Sequence, residues 1–238
     1  MSTSKKAPDS NRNTSSKSKQ SGLILGALLL ALIASAAYMF WPRQSADTPP
    51  GVTLTGDVSD PGPLPENVLG QANAPITVIE YASMTCSHCA EFHTNVLPGL
   101  KEKYIDTGKV RYILRDFPGD AIAFSISALA RCVGNDKYFA FVDAVFSTFD
   151  SWACQGCDVK AGIMNLWKQS GKTEADFEQC LDPKANKAML DGINEVRTRG
   201  LEKYDVNATP TIFVNGKMLS GGNTLEELEK AIEPLLKG

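Results

Sequence analysis

Residues 76–96 read ITVIEYASMTCSHCAEFHTNV, and this stretch decides the fold. The β-branched run of residues 76–81 is typical of a buried strand. Apolar residues then recur every three or four positions from Cys89 onward, which predicts a helix that starts near Cys86. Pro98 interrupts this pattern, so we expect a kink there.

Further elements follow along the chain. A second β-branched run, residues 110–117, completes a β-α-β unit whose two strands pair in parallel. Residues 120–203 lack strand signals and predict a block of helices. An Asn-Gly pair within residues 211–220 predicts a hairpin with a two-residue turn, and Thr224 with Glu227 predicts the capping box of a last helix. The pattern therefore predicts an α/β fold with a mixed β-sheet and an inserted α-helical domain.

The start of the chain has the features of an export or membrane segment. Residues 1–21 hold five lysine and arginine residues and one aspartate, and residues 22–41 are twenty residues without charge. A helix of that length spans about 30 Å, the thickness of the bilayer core. The basic tail favours a cytoplasmic N-terminus and an exported body. Residues 34–36, Ala-Ser-Ala, leave open a cleaved signal peptide instead of an anchor. The proline-rich residues 42–66 predict an extended linker.

Composition excludes some function classes. Hydrophobic residues make up 43% of the chain and charged residues 21%, which is typical of a globular protein. The formal net charge is −3, and because the tail is basic the rest of the chain is acidic. This balance argues against a dedicated nucleic-acid-binding protein.

The cysteines of Cys86-Ser87-His88-Cys89 are the candidate catalytic residues. The N-terminus of a helix carries a partial positive charge and unpaired N–H groups, which favour a thiolate at Cys86. A protonated His88 adds to this effect. Cys89 lies one turn further along and is expected to be more buried and less acidic. A pair with one acidic, accessible sulfur is suited to thiol–disulfide exchange.

A Cys-x-x-Cys pair has other uses in proteins. A purely structural disulfide between Cys86 and Cys89 remains an alternative. A zinc site would need further ligands, and His88 and His93 are the two histidines of the chain. Haem attachment requires a histidine at position 90, which is alanine. We therefore predict neither metal nor cofactor. His93 is predicted to be a surface or half-buried helix residue without a catalytic role.

Two motifs together carry a family resemblance. Residues 80–98, EYASMTCSHCAEFHTNVLP, and the Ala-Thr-Pro of residues 208–210 before the hairpin resemble the DsbA-type thioredoxin-fold oxidoreductases. The resemblance implies a thioredoxin fold whose first half is residues 67–118 and whose second half is residues 204–238. The helical insertion is then residues 119–203.

The resemblance also implies roles for residues outside the cysteine pair. Thr209-Pro210 is expected to be a cis peptide that exposes a strand edge, where a substrate segment can pair beside the reactive sulfur. Ser87 is expected on the same substrate-binding surface. Glu80 corresponds to a buried acid that exchanges protons with Cys89 through water, although an orientation out of the sheet edge stays open.

Four further cysteines lie in the helical block. The resemblance implies a structural disulfide between Cys132, in an Ala-Arg-Cys helix, and Cys180, in a Phe-x-x-Cys-Leu helix. Cys154 and Cys157 depart from the family pattern. A local disulfide, a second redox relay and a zinc site formed with Cys132 and Cys180 are the alternatives for them.

The predicted function is oxidation of thiols in unfolded or reduced exported proteins by a monomer in the periplasm. Residues 22–41 would tether it to the inner membrane, or it would be soluble after cleavage. The resemblance implies reoxidation by a DsbB-like, quinone-linked membrane oxidase. A reductase or isomerase is the alternative, because Thr before the proline also occurs in isomerase-type relatives, although the short linker leaves no room for their dimerisation domain. A chaperone or metal-delivery module on the same fold is the third hypothesis.

Overall fold

A mixed β-sheet forms the centre of the computed structural model, which describes residues 57–237. Its strands are β1 (Asn67–Leu69), β2 (Ile76–Ala82), β3 (Val110–Asp116), β4 (Thr211–Val214) and β5 (Lys217–Met218). They lie in the order β1-β3-β2-β4-β5. β2 and β3 are parallel, and each other neighbouring pair is antiparallel. The predicted α/β fold with a mixed sheet is confirmed.

The helices surround this sheet. In chain order they are α1 (Ser87–Glu91), α2 (Leu97–Leu100), α3 (Ala121–Cys132), α4 (Tyr138–Ser147), α5 (Phe149–Trp152), α6 (Val159–Gln169), α7 (Glu174–Leu181), α8 (Pro183–Lys203) and α9 (Leu225–Leu236). α3 to α8 lie between β3 and β4 in the chain, where the sequence predicts the helical block. α9 begins with the predicted capping box of Thr224 and Glu227.

Residues 87–105 form one interrupted helix. The π-helical segments Phe92–Val96 and Lys101–Ile105 flank α2, which has Pro98 at its start. Proline lacks the N–H that an α-helix needs, and its ring clashes with the carbonyl four residues earlier. The π-helical turns on either side of α2 therefore mark the place where regular α-helical hydrogen bonding is interrupted. The interruption expected at Pro98 therefore takes the form of π-helical turns.

The sheet separates two hydrophobic cores because successive side chains of a strand point to opposite faces. In β2, Val78 and Ala82 face the larger core, which includes the interrupted helix and the helical block. Ile79 and Tyr81 face the smaller core with residues of α8 and the segment that follows it. Glu80 lies between Ile79 and Tyr81 in the chain and so shares the face of the larger core.

The last part of the predicted linker is folded onto the smaller core, contrary to the extended linker predicted for residues 42–66. Val58 is buried. Arg115 of β3 donates a hydrogen bond of 2.7 Å to the main-chain oxygen of Val58 and pairs with the Glu66 carboxylate at 2.6 Å. Residues 57–66 therefore belong to the folded body.

The predicted basic tail, the apolar segment and the first part of the linker lie outside the described residues. From residue 57 to residue 237, no helix combines the length and the apolar composition that crossing a bilayer requires.

Candidate active site

The Cys86 thiol lies at the N-terminus of α1, directly beyond β2. A tight turn follows the strand, and its hydrogen bond runs from the Cys86 N–H to the Ser83 carbonyl at 3.0 Å. Cys86 is the N-cap residue of α1 and has an extended backbone, so the N–H groups of the first helical turn point toward its side chain. The side chain is a partly exposed free thiol.

The surroundings of Cys86 favour its charged form. They lower the pKa of the thiol to about 5, and the hydrogen bond from the Cys89 thiol is the largest cause. The Thr209 side chain and the backbone N–H groups of Cys89 and His88 act in the same direction, whereas partial burial opposes them. Cys86 is therefore mostly a thiolate at neutral pH, which makes it a good leaving group.

Cys89 has the opposite character. Its side chain is fully buried in the larger core. Burial raises the pKa of the Cys89 thiol well above its ordinary value, and the Cys86 sulfur and the Glu80 charge raise it further. One cysteine of the pair is thus acidic and accessible, and the other is protonated and shielded, as the sequence predicts.

The segment that leads into β4 lies beside Cys86. The Cys86 sulfur is 3.3 Å from the Thr209 carbonyl oxygen, and the Thr209–Pro210 peptide bond is cis. Thr209 and Pro210 are half-buried, and Ser87 is exposed. The three residues predicted to bind substrate therefore all lie next to the reactive thiol.

His88 projects into solvent. Its Nδ1 lies 3.1 Å from a Glu91 carboxylate oxygen, and 72% of its side chain is exposed. The hydrogen bond and charge of Glu91, followed by the negative charge of Cys86, raise the pKa of His88. Because this attraction acts on both partners, a protonated His88 also favours the Cys86 thiolate. The exposed position limits the effect.

Glu80 is fully buried on the face of the sheet that carries the larger core. β2 has β3 on one side and β4 on the other, so the alternative in which Glu80 points out of a sheet edge is wrong. The Tyr112 hydroxyl donates a short hydrogen bond to Glu80 Oε2. The negative charge of Glu80 is one of the causes that raise the Cys89 pKa, after burial and the hydrogen bond to Cys86.

His93 is buried, so the prediction of a surface or half-buried residue is wrong. Only 1% of its side chain is exposed, and its Nε2 lies 3.3 Å from Glu80 Oε2. Its ring packs on Phe146 with 4.4 Å between the ring centroids. The signal that could have shown this is its place one turn after Cys89, on the helix face shared with apolar residues.

The other four cysteines form two disulfides. Cys132, at the end of α3, is bonded to Cys180 of α7, which is the pairing that the resemblance implies. Cys154 is bonded to Cys157 in the loop between α5 and α6. The zinc site considered for these four residues is therefore wrong. Within the described part of the chain, no group of three or more His, Cys, Asp or Glu side chains is placed to hold a metal ion.

Comparisons with known proteins agree with this geometry. The family model described as "Thioredoxin" matches residues 64–234. A crystal structure of α-DsbA1 from Wolbachia pipientis resembles this chain with a TM-score of 0.68 at 34% sequence identity, covering 76% of this chain and 96% of that one. This chain belongs to the DsbA-type proteins of the thioredoxin family.

Curated relatives of this DsbA-type chain carry related names. A Rickettsia bellii protein named as a protein-disulfide oxidoreductase is 32% identical over 171 residues, which are 70% of this chain and 64% of that protein. The DsbA-type chain thus spans just under two thirds of that relative. Disulfide bond formation protein D of Bacillus subtilis is 25% identical over 180 residues, covering 72% of this chain and 77% of that protein.

Proposed function

We propose that this DsbA-type protein is a dithiol oxidase that introduces disulfide bonds into exported proteins. The observation that supports this function is the contrast between the two cysteines. Cys86 is partly exposed and has a pKa of about 5, whereas Cys89 is buried and has a raised pKa. A stable Cys86 thiolate stabilises the reduced pair, so the oxidised pair readily gives up its disulfide.

The reaction takes place in two exchanges. A substrate thiolate attacks Cys86 in the Cys86–Cys89 disulfide, forms a mixed disulfide and releases Cys89 as a thiolate, which takes up a proton. A second substrate thiolate attacks the substrate sulfur of the mixed disulfide and releases the Cys86 thiolate. The substrate loses two electrons, the enzyme gains them, and the substrate leaves with a new disulfide.

The substrate surface in this proposal consists of Ser87, Thr209 and Pro210. The Thr209 carbonyl oxygen lies 3.3 Å from the Cys86 sulfur, so it offers a main-chain acceptor beside the reacting atom. An extended peptide can hydrogen bond there by strand addition, which requires no particular side chain of the substrate. This fits an enzyme that acts on many unfolded proteins.

Location and partners are part of the proposal. The basic residues 1–21 and the apolar residues 22–41 support a periplasmic protein that is tethered to the inner membrane, with cleavage to a soluble form as the alternative. An external oxidant must restore the Cys86–Cys89 disulfide after each cycle. A DsbB-like, quinone-linked membrane oxidase would supply it.

The first test is oxidation of a reduced two-cysteine model protein by the oxidised enzyme. We expect Cys86→Ala to abolish the oxidation, since no disulfide can form at the active site, while the fold is retained by circular dichroism. The matched control is the double variant Cys154→Ala/Cys157→Ala, which removes the other Cys-x-x-Cys pair and should keep full activity. Retained oxidation by Cys86→Ala would refute the assignment of Cys86.

The direction of electron flow needs a second measurement. Rapid alkylation of intact cells should trap the Cys86–Cys89 pair largely oxidised. A largely reduced pair, together with reactivation of a scrambled-disulfide protein and little net oxidation, would favour the reductase or isomerase instead. Binding of unfolded protein with neither activity would favour a chaperone.

A further inference from the structure

We propose that His93 is a positioning residue that passes protons between the buried Glu80–Cys89 region and a cavity beside α4. The proposal rests on the thiol–disulfide exchange proposed above and adds the route by which its protons travel.

The exchange creates a proton-transfer problem at Cys89. The thiolate released from the disulfide must gain a proton, and the thiol must lose it again when the disulfide re-forms. Cys89 has no exposed surface in the structure, so bulk water does not reach the sulfur directly. A substrate bound at Cys86 and Thr209 covers the accessible side of the pair as well. A route through the protein interior solves this problem.

Three side chains, Glu80, His93 and Asp143, follow one another in space from the buried core to the surface and form such a route. Glu80 Oε2 is 3.3 Å from His93 Nε2, and the Tyr112 hydroxyl holds the same carboxylate oxygen in place. On the other side of the imidazole, His93 Nδ1 is 3.9 Å from the Asp143 carboxylate, whose side chain is 62% exposed. The imidazole thus stands between a fully buried acid and a surface acid.

The outer end of this route opens into a cavity of about 580 Å³. His93 and Asp143 both line it, together with residues of the interrupted helix and of α4 such as Thr94, Leu97 and Phe139. Cys86 and Thr209 are not among its lining residues. The exit is therefore lined by residues other than Cys86 and those of the proposed substrate surface.

The charges around His93 suit a proton carrier. The groups that face it are Glu80 from β2, the Tyr112 phenol from β3 and Asp143 from α4, and Lys101 lines the same cavity. Burial lowers the pKa of His93, but the Glu80 and Asp143 carboxylates raise it to about 9. The imidazole therefore holds a proton at neutral pH that it can pass to Glu80.

Each turnover moves one proton along this route. After disulfide transfer, the His93 imidazolium passes its proton to the Glu80 carboxylate, Glu80 passes a proton on to the Cys89 thiolate, and His93 is reprotonated from the cavity past Asp143. Reoxidation runs the same transfers in reverse. No electrons pass through the imidazole.

The test is chemical rescue of single-turnover disulfide transfer from the oxidised enzyme to a two-cysteine peptide. We expect His93→Ala to slow the transfer by about 100-fold at pH 7, the lower end of the effect of a positioned proton-transfer group. Added imidazole should restore it, because the cavity admits a small ring at the vacated position. Thiophene has a similar shape but cannot carry a proton, so it should not rescue. Equal rescue by both rings, or by neither in a folded variant, would overturn the proposal.

Surface variants keep the test independent of folding in the core. Asp143→Asn should slow the transfer measurably and weaken its dependence on pH, whereas Asp150→Asn, which removes an exposed carboxylate of α5, should not. Equal rates for the two variants would count against the route. The wild-type enzyme separates the two proposals: if it transfers no disulfide to or from the peptide, the proposed function fails, whatever His93 does.

Discussion

At the scale of single residues, Cys86 and Cys89 have the same side chain in opposite surroundings. Cys86 caps a helix and faces N–H groups and the side chain of Thr209. Cys89 points into the core, where burial and the Glu80 carboxylate disfavour a second negative charge. A difference of three positions along one helix turn therefore separates a thiolate from a thiol.

The first prediction concerns the pH dependence of Cys86 alkylation in the reduced protein. Because surroundings lower the pKa of this thiol to about 5, iodoacetamide should react at a constant rate near neutral pH. The rate should fall as the pH drops through about 5, where the thiolate becomes protonated. Mass spectrometry should find the label on Cys86 and not on Cys89. A midpoint near 8 or above would contradict an activated thiol.

A protonated His88 should help to lower the pH midpoint of Cys86 alkylation. We expect His88→Ala to raise the Cys86 pKa by less than about one unit, since exposed charges interact weakly, and to lower the reduction potential because the reduced form loses stability. Asn95→Ala, an exposed change further along the same helix, is the matched control and should leave the midpoint in place.

The sequence predicts the Cys86–Cys89 pair and the buried Glu80. It does not predict that His93 and Asp143 join Glu80 in one group of charged side chains. The Cys-x-x-Cys spacing and the Thr-Pro pair are local signals, so they can be recognised without a structure. The burial of His93 depends on α4 covering the interrupted helix, because Asp143 and Phe146 come from that element. Helical periodicity places His93 on the same face as Cys89, but it gives weight only to apolar residues and so does not by itself assign a histidine to the core.

At the scale of elements, the two structural disulfides close loops of very different size. Cys132–Cys180 joins α3 to α7 across 48 positions of sequence. Cys154–Cys157 closes a turn across 3 positions. A longer loop loses more conformational freedom in the unfolded chain when it is closed, so the first disulfide should stabilise the fold more.

We therefore predict unequal losses of stability for the two paired substitutions. Cys132→Ala/Cys180→Ala should lower the free energy of unfolding by about 4 kcal/mol, and Cys154→Ala/Cys157→Ala by about 2 kcal/mol, in the chain-entropy model. Denaturant unfolding of the two variants beside the wild type measures both values. A larger loss for the short loop would show that loop closure is not the main source of stability.

The sequence predicts the long β-branched strands, but it does not predict the three-residue strand β1 or the π-helical turns. The predicted strand of residues 76–81 extends one residue further as β2, and the predicted hairpin has a shorter second strand, β5. β1 has three residues and pairs with β3 at the edge of the sheet. So short a run carries no periodicity, and its pairing is decided by β3 rather than by its own residues.

At the scale of the whole molecule, Arg115 joins the segment before β1 to the sheet. Its guanidinium is 5% exposed and pairs with the 9% exposed Glu66 carboxylate at 2.6 Å. It also donates hydrogen bonds to the main-chain oxygens of Val58 and Asp60, at 2.7 and 3.1 Å. One buried cation thus holds three points of residues 57–66.

Loss of this cation should be costly. We expect Arg115→Leu to destabilise the fold by up to about 3–5 kcal/mol, because the buried Glu66 carboxylate would lose its 2.6 Å partner and keep only the Arg111 guanidinium at 3.6 Å. Limited proteolysis should then cut within residues 57–66 before it cuts elsewhere in the body. The control is Lys101→Ala, which breaks an exposed 2.7 Å pair with Asp106 and should cost no more than about 1 kcal/mol. Similar losses for both variants would contradict a special role for Arg115.

Side chains alternate between the two faces of β2 and β3, so substitutions at even-numbered and odd-numbered positions affect different parts of the molecule. Even-numbered positions such as Glu80 and Tyr112 face the larger core, which contains Cys89, whereas odd-numbered positions such as Tyr81 and Arg115 lie on the opposite face, where Arg115 holds residues 57–66. Substitutions at even-numbered positions can therefore change the surroundings of Cys89 without removing the contacts that hold residues 57–66. Two neighbouring residues of one strand, such as Glu80 and Tyr81, can thus be substituted with separate consequences for the molecule.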